Sequence, residues 1–385
     1  MTVKTVGILT FHFSENFGAL LQAYALRRWF VEQGCSTSFI TYFPEHVEQG
    51  GAFRISMKPQ VLRANLKIAY LKAAALLHHA MGSDDQERKF AEFRRDQLGI
   101  DEPSVGTLAQ LADYPKRFDL YVAGSDQIWS PSVQYGFDPA YFLDFVREGA
   151  GRRIAYAASF GTDSLPQPRM SQLSPLLRNL DAVSVRELSG VQIVRTASGI
   201  EPACVPDPTL LHTEYDELLT GREAEQRGHV FCYALRTGEH IRDTAHQVAR
   251  AFGAEVISPY NIHRRWREIG RTVHPGPIEW LSHVRNSAYV VTNSFHGAVF
   301  SILFQKPFVV VGLPGARSAM NARSKNLLGQ LGLMDRFLER YSERGVAALL
   351  EAPIEWSSVA QKQRVLRLAG VNYLSTQLGL AVRHE

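Results

Sequence analysis

Three side chains stand where they could carry chemistry: His296, Asp126 and Arg186. His296 lies in Thr292-Asn293-Ser294-Phe295-His296-Gly297, after a β-branched run at Tyr289 to Thr292. Val299, Phe300, Leu303 and Phe304 then recur at helical spacing, so the segment reads as buried parallel strand, tight polar turn and helix. An imidazole in such a turn can exchange protons near neutral pH, and the helix start beside it favours an anion. Asn293, Ser294 and Gly297 are the candidate ligand contacts of the same turn. A buried histidine bonded to a backbone carbonyl is the plainer alternative for His296.

Asp126 sits in a second strand-and-turn segment, Val122-Ala123-Gly124-Ser125-Asp126-Gln127. Gly124 lets a backbone approach closely. Ser125, Asp126 and Gln127 offer a ligand a hydroxyl, a carboxylate and an amide. Asp126 reads as a general base or a partner for sugar hydroxyls, or else as the cap of a following helix. Arg186 ends a strand at Ala182 to Glu187, where a guanidinium suits bidentate capture of a carboxylate or phosphate. Its alternative is an internal pair with Glu187 or Asp207. Asn16 and Gly18, in the loop after the first strand, either line an acceptor pocket or form the turn and cap the next helix.

The elements that position these groups follow a repeated scheme. A strand at Val6 to Phe11, a helix from about Ala19 to Gln33 closed by Gly34, and a strand at Thr37 to Phe43 make a βαβ opening. Its loop lacks G-x-G-x-x-G, so a dinucleotide is not indicated. The winding restarts at Val230, with a helix at about Glu239 to Phe252 and a strand at Glu255 to Ser258. A helix at Ile278 to Arg285 leads into the His296 segment, followed by a strand at Pro307 to Val311, a loop at Gly312 to Arg323 and a helix at Lys325 to Gly332. The predicted domains are 1–215 on the acceptor side, 216–350 on the donor side, and 351–385 as a helix crossing back to the first domain.

At 385 residues, 45% hydrophobic and 21% charged, the chain suits two soluble globular domains. A net charge of +4 is too diffuse for nucleic acid and fits an anionic small substrate or loose attraction to an acidic membrane surface. The basic stretch Pro59 to Met81 reads as a solvated helix, with peripheral membrane association as its alternative. Cys35, Cys204 and Cys232 show neither zinc spacing nor a disulfide framework, and no signal peptide or spanning segment is read. The expected location is therefore the cytoplasm, including the inner face of the membrane.

Five segments appear in order: Asn16-Phe17-Gly18-Ala19 with Leu21 to Leu26, Val122 to Trp129, Ser184 to Glu187, Asp207-Pro208-Thr209, and Thr292 to Gly297. Together they resemble the polysaccharide pyruvyl transferase family, from residue 5 to about residue 335. The resemblance implies an α/β, GT-B-like fold, two Rossmann-type doubly wound domains facing a cleft. It implies transfer of the carboxyethylidene group from phosphoenolpyruvate to two sugar hydroxyls, without a metal or other cofactor. By motif position the family's acid falls on His296 and one donor-holding arginine on Arg186. The chain departs from the family at Ser294, where better-studied members carry arginine, and Arg323 or Lys325 is the expected substitute. The implied partner is a sugar or lipid-linked oligosaccharide acceptor. Two rival readings remain: a GT-B glycosyltransferase using a nucleotide sugar, and a non-catalytic partner in envelope assembly.

Overall fold

The structure, a computed structural model, describes residues 4–44, 65, 66, 69, 84–101, 103–134, 136–220, 227–260 and 269–382. The basic stretch Pro59 to Met81 lies almost wholly outside these residues. Among the described residues no helix is long and apolar enough to cross a membrane. The chain divides into two compact units, Met1–Pro208 with Tyr373–Leu380, and Thr209–Asn372 with Ala381–Glu385.

In the first unit short apolar runs become six parallel strands: β1 (Thr5–Leu9), β2 (Ser36–Phe39), β3 (Leu120–Ala123), β4 (Arg152–Ala158), β5 (Ala182–Val185) and β6 (Ala203–Cys204). Their order is β2-β1-β3-β4-β5-β6. Every side chain of β3 is buried, as expected of a sheet covered on both faces. The helix Phe17–Glu32 connects β1 to β2, and Asn16 fixes its start by accepting from the N–H groups of Gly18 and Ala19 at 3.0 and 3.3 Å. Such a cap contributes about 1 kcal/mol. Beyond β3, the fully buried Trp129 stacks on Phe142 with ring centroids 4.9 Å apart and donates its indole N–H to Tyr141 O. Each such large apolar side chain stabilises the fold by about 2–3 kcal/mol on burial. At the far end of the chain, the Tyr373 hydroxyl donates to Ala155 O of β4 at 2.9 Å.

The second unit repeats the scheme with β7 (Val230–Tyr233), β8 (Val256–Pro259), β9 (Arg271–Val273), β10 (Tyr289–Thr292), β11 (Phe308–Val311) and β12 (Phe337–Leu338). The order is β12-β11-β10-β7-β8-β9, with all pairings parallel. The architecture is thus the α/β, GT-B-like class read from the sequence, two Rossmann-type doubly wound units. Both sheets reverse their winding direction once, between β1 and β3 in the first and between β7 and β10 in the second. Open α/β sheets bind ligands just beyond the strand ends at such a reversal.

Some boundaries differ from the sequence reading. The helix expected from Lys325 begins at Asn321, so Arg323 lies on a helix and not in a loop. Strand β2 ends at Phe39 instead of Phe43, because Tyr42 leaves β1 to bridge Val105. The edge strands β6, β9 and β12 have two, three and two residues and were not anticipated. Runs this short hold too few alternations to register as a period.

Candidate functional site

The first unit's reversal is held by side chains where the sheet's own hydrogen bonds run out. Gly124 N donates to Leu9 O at 3.0 Å, the last main-chain bond between the ends of β1 and β3. Beyond it, Ser125 N–H donates to Gln22 Oε1 at 3.1 Å, and Thr10 Oγ1 donates to Ser125 O at 3.1 Å. Gln22 Nε2 donates to Thr10 Oγ1 at 2.8 Å and closes the ring. The Ser125 hydroxyl is also committed, to Ala157 O at 2.6 Å. Ser125 is fully buried, and its hydroxyl and peptide groups build the turn. Gly124, at φ +127°, has a similar role: a Cβ there would stand 2.1 Å from Tyr156 O. The close approach that glycine permits is made to the protein's own β4.

Asp126 follows in a left-handed conformation, φ +73°, uncommon for any residue other than glycine. Its carbonyl accepts from Ser159 N at 3.0 Å, pairing the turn with the end of β4. No helix follows directly, so the helix-capping alternative falls away. The Gln127 side chain lies against Gly161, whose absent Cβ leaves it room.

Arg186 is where the expectation of an open anion clamp needs correction. Its guanidinium is buried and already surrounded by carboxylates: Asp207 Oδ2 at 2.5 Å, Glu187 Oε1 at 3.1 Å and Asp126 Oδ1 at 3.9 Å. The internal pairing that the sequence left open is the arrangement present. Burial opposes the charge, yet the carboxylates of Glu187, Asp207 and Asp126 outweigh it and raise the guanidinium's pKa. Glu187 also accepts from Ser159 Oγ at 2.8 Å. Among the described residues the guanidinium is matched by carboxylates of the protein itself. Asp207 is sealed off and Asp126 is the more accessible carboxylate, with 15% of its side chain exposed. His12, after β1, adds no charge at neutral pH. Burial lowers its pKa to about 4 against a raising bond to Thr10 O, and Arg94 lowers it further.

The second unit's reversal is fastened differently. Asn293 Oδ1 accepts from Leu235 N at 2.8 Å and its Nδ2 donates to Arg236 O at 2.7 Å, tying the turn after β10 to the loop after β7. Thr292 Oγ1 donates to Tyr233 O at 2.7 Å and accepts from Ser294 N at 3.0 Å. Ser294 caps the helix Phe295–Leu303, its hydroxyl accepting from Gly297 N at 3.4 Å. A Cβ on Gly297 would meet Thr292 Oγ1 at 2.3 Å, so glycine lets this helix settle onto its own strand. His296 occupies the first turn of that helix, 6% exposed, its ring edge-on to Phe295 at 5.1 Å. The helix Asn321–Leu331 packs against it and carries the buried Arg323. Lys325, the other substitute considered for the family arginine, is engaged by Glu339 and lies 4.9 Å from the Phe337 ring centre.

The sequence-identified residues therefore fall into two groups. Gly124, Ser125, Asp126, Gln127 and Arg186 meet at the carboxyl edge of the first sheet, with Asn16 and Gly18 at the start of the helix that also supplies Gln22. Asn293, Ser294, His296 and Gly297 meet at the carboxyl edge of the second, with Arg323 on the neighbouring helix. The sequence reading includes Gln22 in the Leu21 to Leu26 motif without giving it a role at the site, and it does not single out Thr10. The available signal was a glutamine set among Ala19, Leu21, Ala23, Ala25 and Leu26 on a helix whose neighbours are all buried.

Comparison with known proteins fits this arrangement. Similar solved structures include a putative UDP-N-acetylglucosamine 2-epimerase from Listeria monocytogenes, with 11% identity, TM-score 0.52, and coverage of 100% of this chain and 99% of that one. The UDP-GlcNAc 2-epimerase of Neisseria meningitidis bound to UDP-GlcNAc has 9% identity and TM-score 0.52, covering 98% of this chain and 100% of the other. At such identities the likeness concerns the fold alone. No curated protein matches the chain significantly. The profile of the family described as Polysaccharide pyruvyl transferase matches residues 16–313, a span that holds Asn16, Gly18, the Gly124 turn, Arg186 and the His296 turn. The chain belongs to the polysaccharide pyruvyl transferase family.

Proposed function

We propose that the chain transfers the carboxyethylidene group of phosphoenolpyruvate to two hydroxyls of a sugar in a cell-surface or exopolysaccharide precursor. Family membership supports the reaction class. The observation that carries the site assignment is His296 in the first turn of a helix at a sheet reversal. Phosphoenolpyruvate is an enol phosphate whose central carbon becomes electrophilic once its methylene carbon is protonated. His296 is the proposed proton donor, and the helix start beside it would favour the donor's anionic groups. Arg323, on the adjoining helix, is the proposed cation for the carboxylate or phosphate.

Protonation leaves an oxocarbenium-like carbon, which one sugar hydroxyl attacks as its proton passes to a base. Loss of inorganic phosphate and attack by the second hydroxyl close the ketal, so one donor and one diol give one ketal and one phosphate. Asp126 is the proposed base or hydroxyl acceptor, with Gln127 beside it. The partly exposed Asp126 carboxylate supports an acceptor role for this region, because carboxylates receive hydroxyl hydrogens well. In this reading Arg186 is the structural partner of Asp207, Glu187 and Asp126 and holds them at the strand end. The acceptor would be a free sugar or a lipid-linked oligosaccharide at the cytoplasmic face of the membrane. These steps call for protons and hydrogen bonds alone.

The test is incubation with labelled phosphoenolpyruvate and galactose, mannose, glucuronate and N-acetylhexosamine acceptors, scored for phosphate release and gain of pyruvate mass. Turnover that disappears in His296→Gln supports the reading. Saturable binding of a uridine nucleotide with no consumption of phosphoenolpyruvate would overturn it.

A further inference from the structure

We propose that Gln22 is the positioning residue for Asp126, and through it sets recognition of the acceptor's hydroxyls. The proposal rests on the acceptor role given to Asp126 above, and it concerns a residue to which that reading gives no part. Gln22 is completely buried on the helix Phe17–Glu32, a place where burial of a carboxamide is unfavourable unless its polar atoms find partners. They do. Its Nε2 reaches Thr10 Oγ1 at 2.8 Å and Ala19 O at 2.9 Å, and its Oε1 receives Ser125 N–H at 3.1 Å.

The consequence for Asp126 comes from where the ladder stops. Strand β1 ends at Leu9 and β3 at Ala123, so the peptide groups of Ser125 have no strand partner between these two. Gln22 takes the N–H and Thr10 takes the C=O, and the two side chains are bonded to each other. Asp126 is therefore anchored on its amino side by this ring and on its carboxyl side by the bond from Ser159 N to its own carbonyl. A left-handed aspartate costs free energy and persists where both flanks are fixed. Removing Gln22 releases one flank and leaves the strand pairings of β1 with β3 and of β3 with β4 intact. The expected result is a carboxylate displaced from the sugar, with the donor's contacts unchanged.

The variants are Gln22→Met, which keeps length and removes every hydrogen bond, Thr10→Val, which opens the same ring elsewhere, and the double substitution. Leu177→Ala, a core change in the same unit, is the stability control. Gln22→Met and Thr10→Val should each raise KM for the sugar at least about tenfold and leave KM for phosphoenolpyruvate within about twofold. The pair should do little more than the worse single change, because the ring acts as one unit. Leu177→Ala should lower the melting temperature and move neither KM.

Amide hydrogen exchange on the full chain supplies a readout that needs no turnover. Exchange in residues 124–128 should quicken at least about tenfold in both ring variants, while β3 and β4 keep their protection. If the wild-type protein consumes no phosphoenolpyruvate, the transferase reading fails and the exchange arm still decides the positioning claim. Unchanged exchange at 124–128 overturns the proposal. So does a sugar KM that stays at the wild-type value in an active ring variant, or one that shifts equally in the Leu177→Ala control.

Discussion

The two sheets solve one topological problem with the same chemical group and then diverge. Where each winding reverses, two neighbouring strand ends part and the main-chain ladder fails. In the first unit a glutamine carboxamide closes the gap through Thr10 and Ser125; in the second an asparagine carboxamide does so against Leu235 and Arg236. A carboxamide carries both a donor and an acceptor without charge, so it can replace a missing strand partner in a dry setting. Beyond the clasp the two regions differ in sign. The first ends in three carboxylates around one guanidinium, the second in a helix start with an imidazole on its first turn. The lesson is a division of labour: the scaffold is repeated, and charge placed just past it decides what each half can bind.

This contrast predicts that His296, past the second clasp, acts on rate, whereas Arg186, past the first, acts on stability. The largest effect belongs to His296→Gln. Phosphate release should fall by about 10²–10⁴-fold, the usual range for a lost general acid, with the melting temperature nearly unchanged. A variant that unfolds instead would make His296 a core residue and dissolve the contrast.

Arg186→Met should be the most damaging change to the fold. It strands Asp207, Glu187 and Asp126 without their cation, and breaking a buried pair this way costs about 3–5 kcal/mol, readable from the urea midpoint. Normal stability with a raised KM for phosphoenolpyruvate would restore the anion-clamp role and erase the difference between the two regions.

A pH series sharpens the comparison further. Burial holds His12 neutral in the folded chain, with a pKa of about 4 against 6.5 for an unperturbed imidazole. As pH falls below 6.5 the unfolded chain takes up a proton that the folded chain refuses. His12 therefore lends its full stabilisation above that pH and loses it progressively toward pH 4, a change of about 3 kcal/mol. Urea midpoints measured from pH 7 to pH 4 should show the decline, and His12→Phe should flatten it. Burial lowers His229 in the second unit to about 4 as well, helped by His283 and opposed by the bond to His283 O, so some slope will remain.

The smallest effect is expected at the clasp of the second unit. Asn293→Leu leaves Leu235 N–H and Arg236 O without their side-chain partner, at about 1–3 kcal/mol if no water replaces it. Turnover should fall with it, since the same turn carries His296. Stability unchanged within about 0.5 kcal/mol would show that the clasp is dispensable and that the resemblance between the two reversals is superficial.

Much of this was legible in the residues themselves. The short apolar runs, alternating with helical spacing such as that of Leu20, Leu21, Tyr24 and Ala25, mark the windings, because burial on two faces demands nearly continuous apolar strands. The turns at Gly124 and Asn293 were also visible, as abrupt polar residues after apolar runs. What the turns do was not. Ser125 and Asn293 look like ligand contacts in the sequence, yet their polar atoms are largely spent on the backbone. For Arg186 the sequence held both an anion clamp and an internal pair with Glu187 or Asp207, and choosing between them takes the distances that only the fold supplies. Gln22 stood in the Leu21 to Leu26 motif without a role, because helical periodicity registers an apolar face and has no term for a buried amide that is fully employed.

Residues Tyr373–Leu380 belong with the first unit although 164 residues, Thr209–Asn372, separate them from its other part. The polypeptide thus emerges from the ribosome with its leading half unsealed and its middle whole. The second sheet is free to form before the tyrosine that donates to β4 has been translated, so completion runs middle first and beginning last. A chain cut short after residue 372 would retain both windings and lack the segment that closes the earlier one.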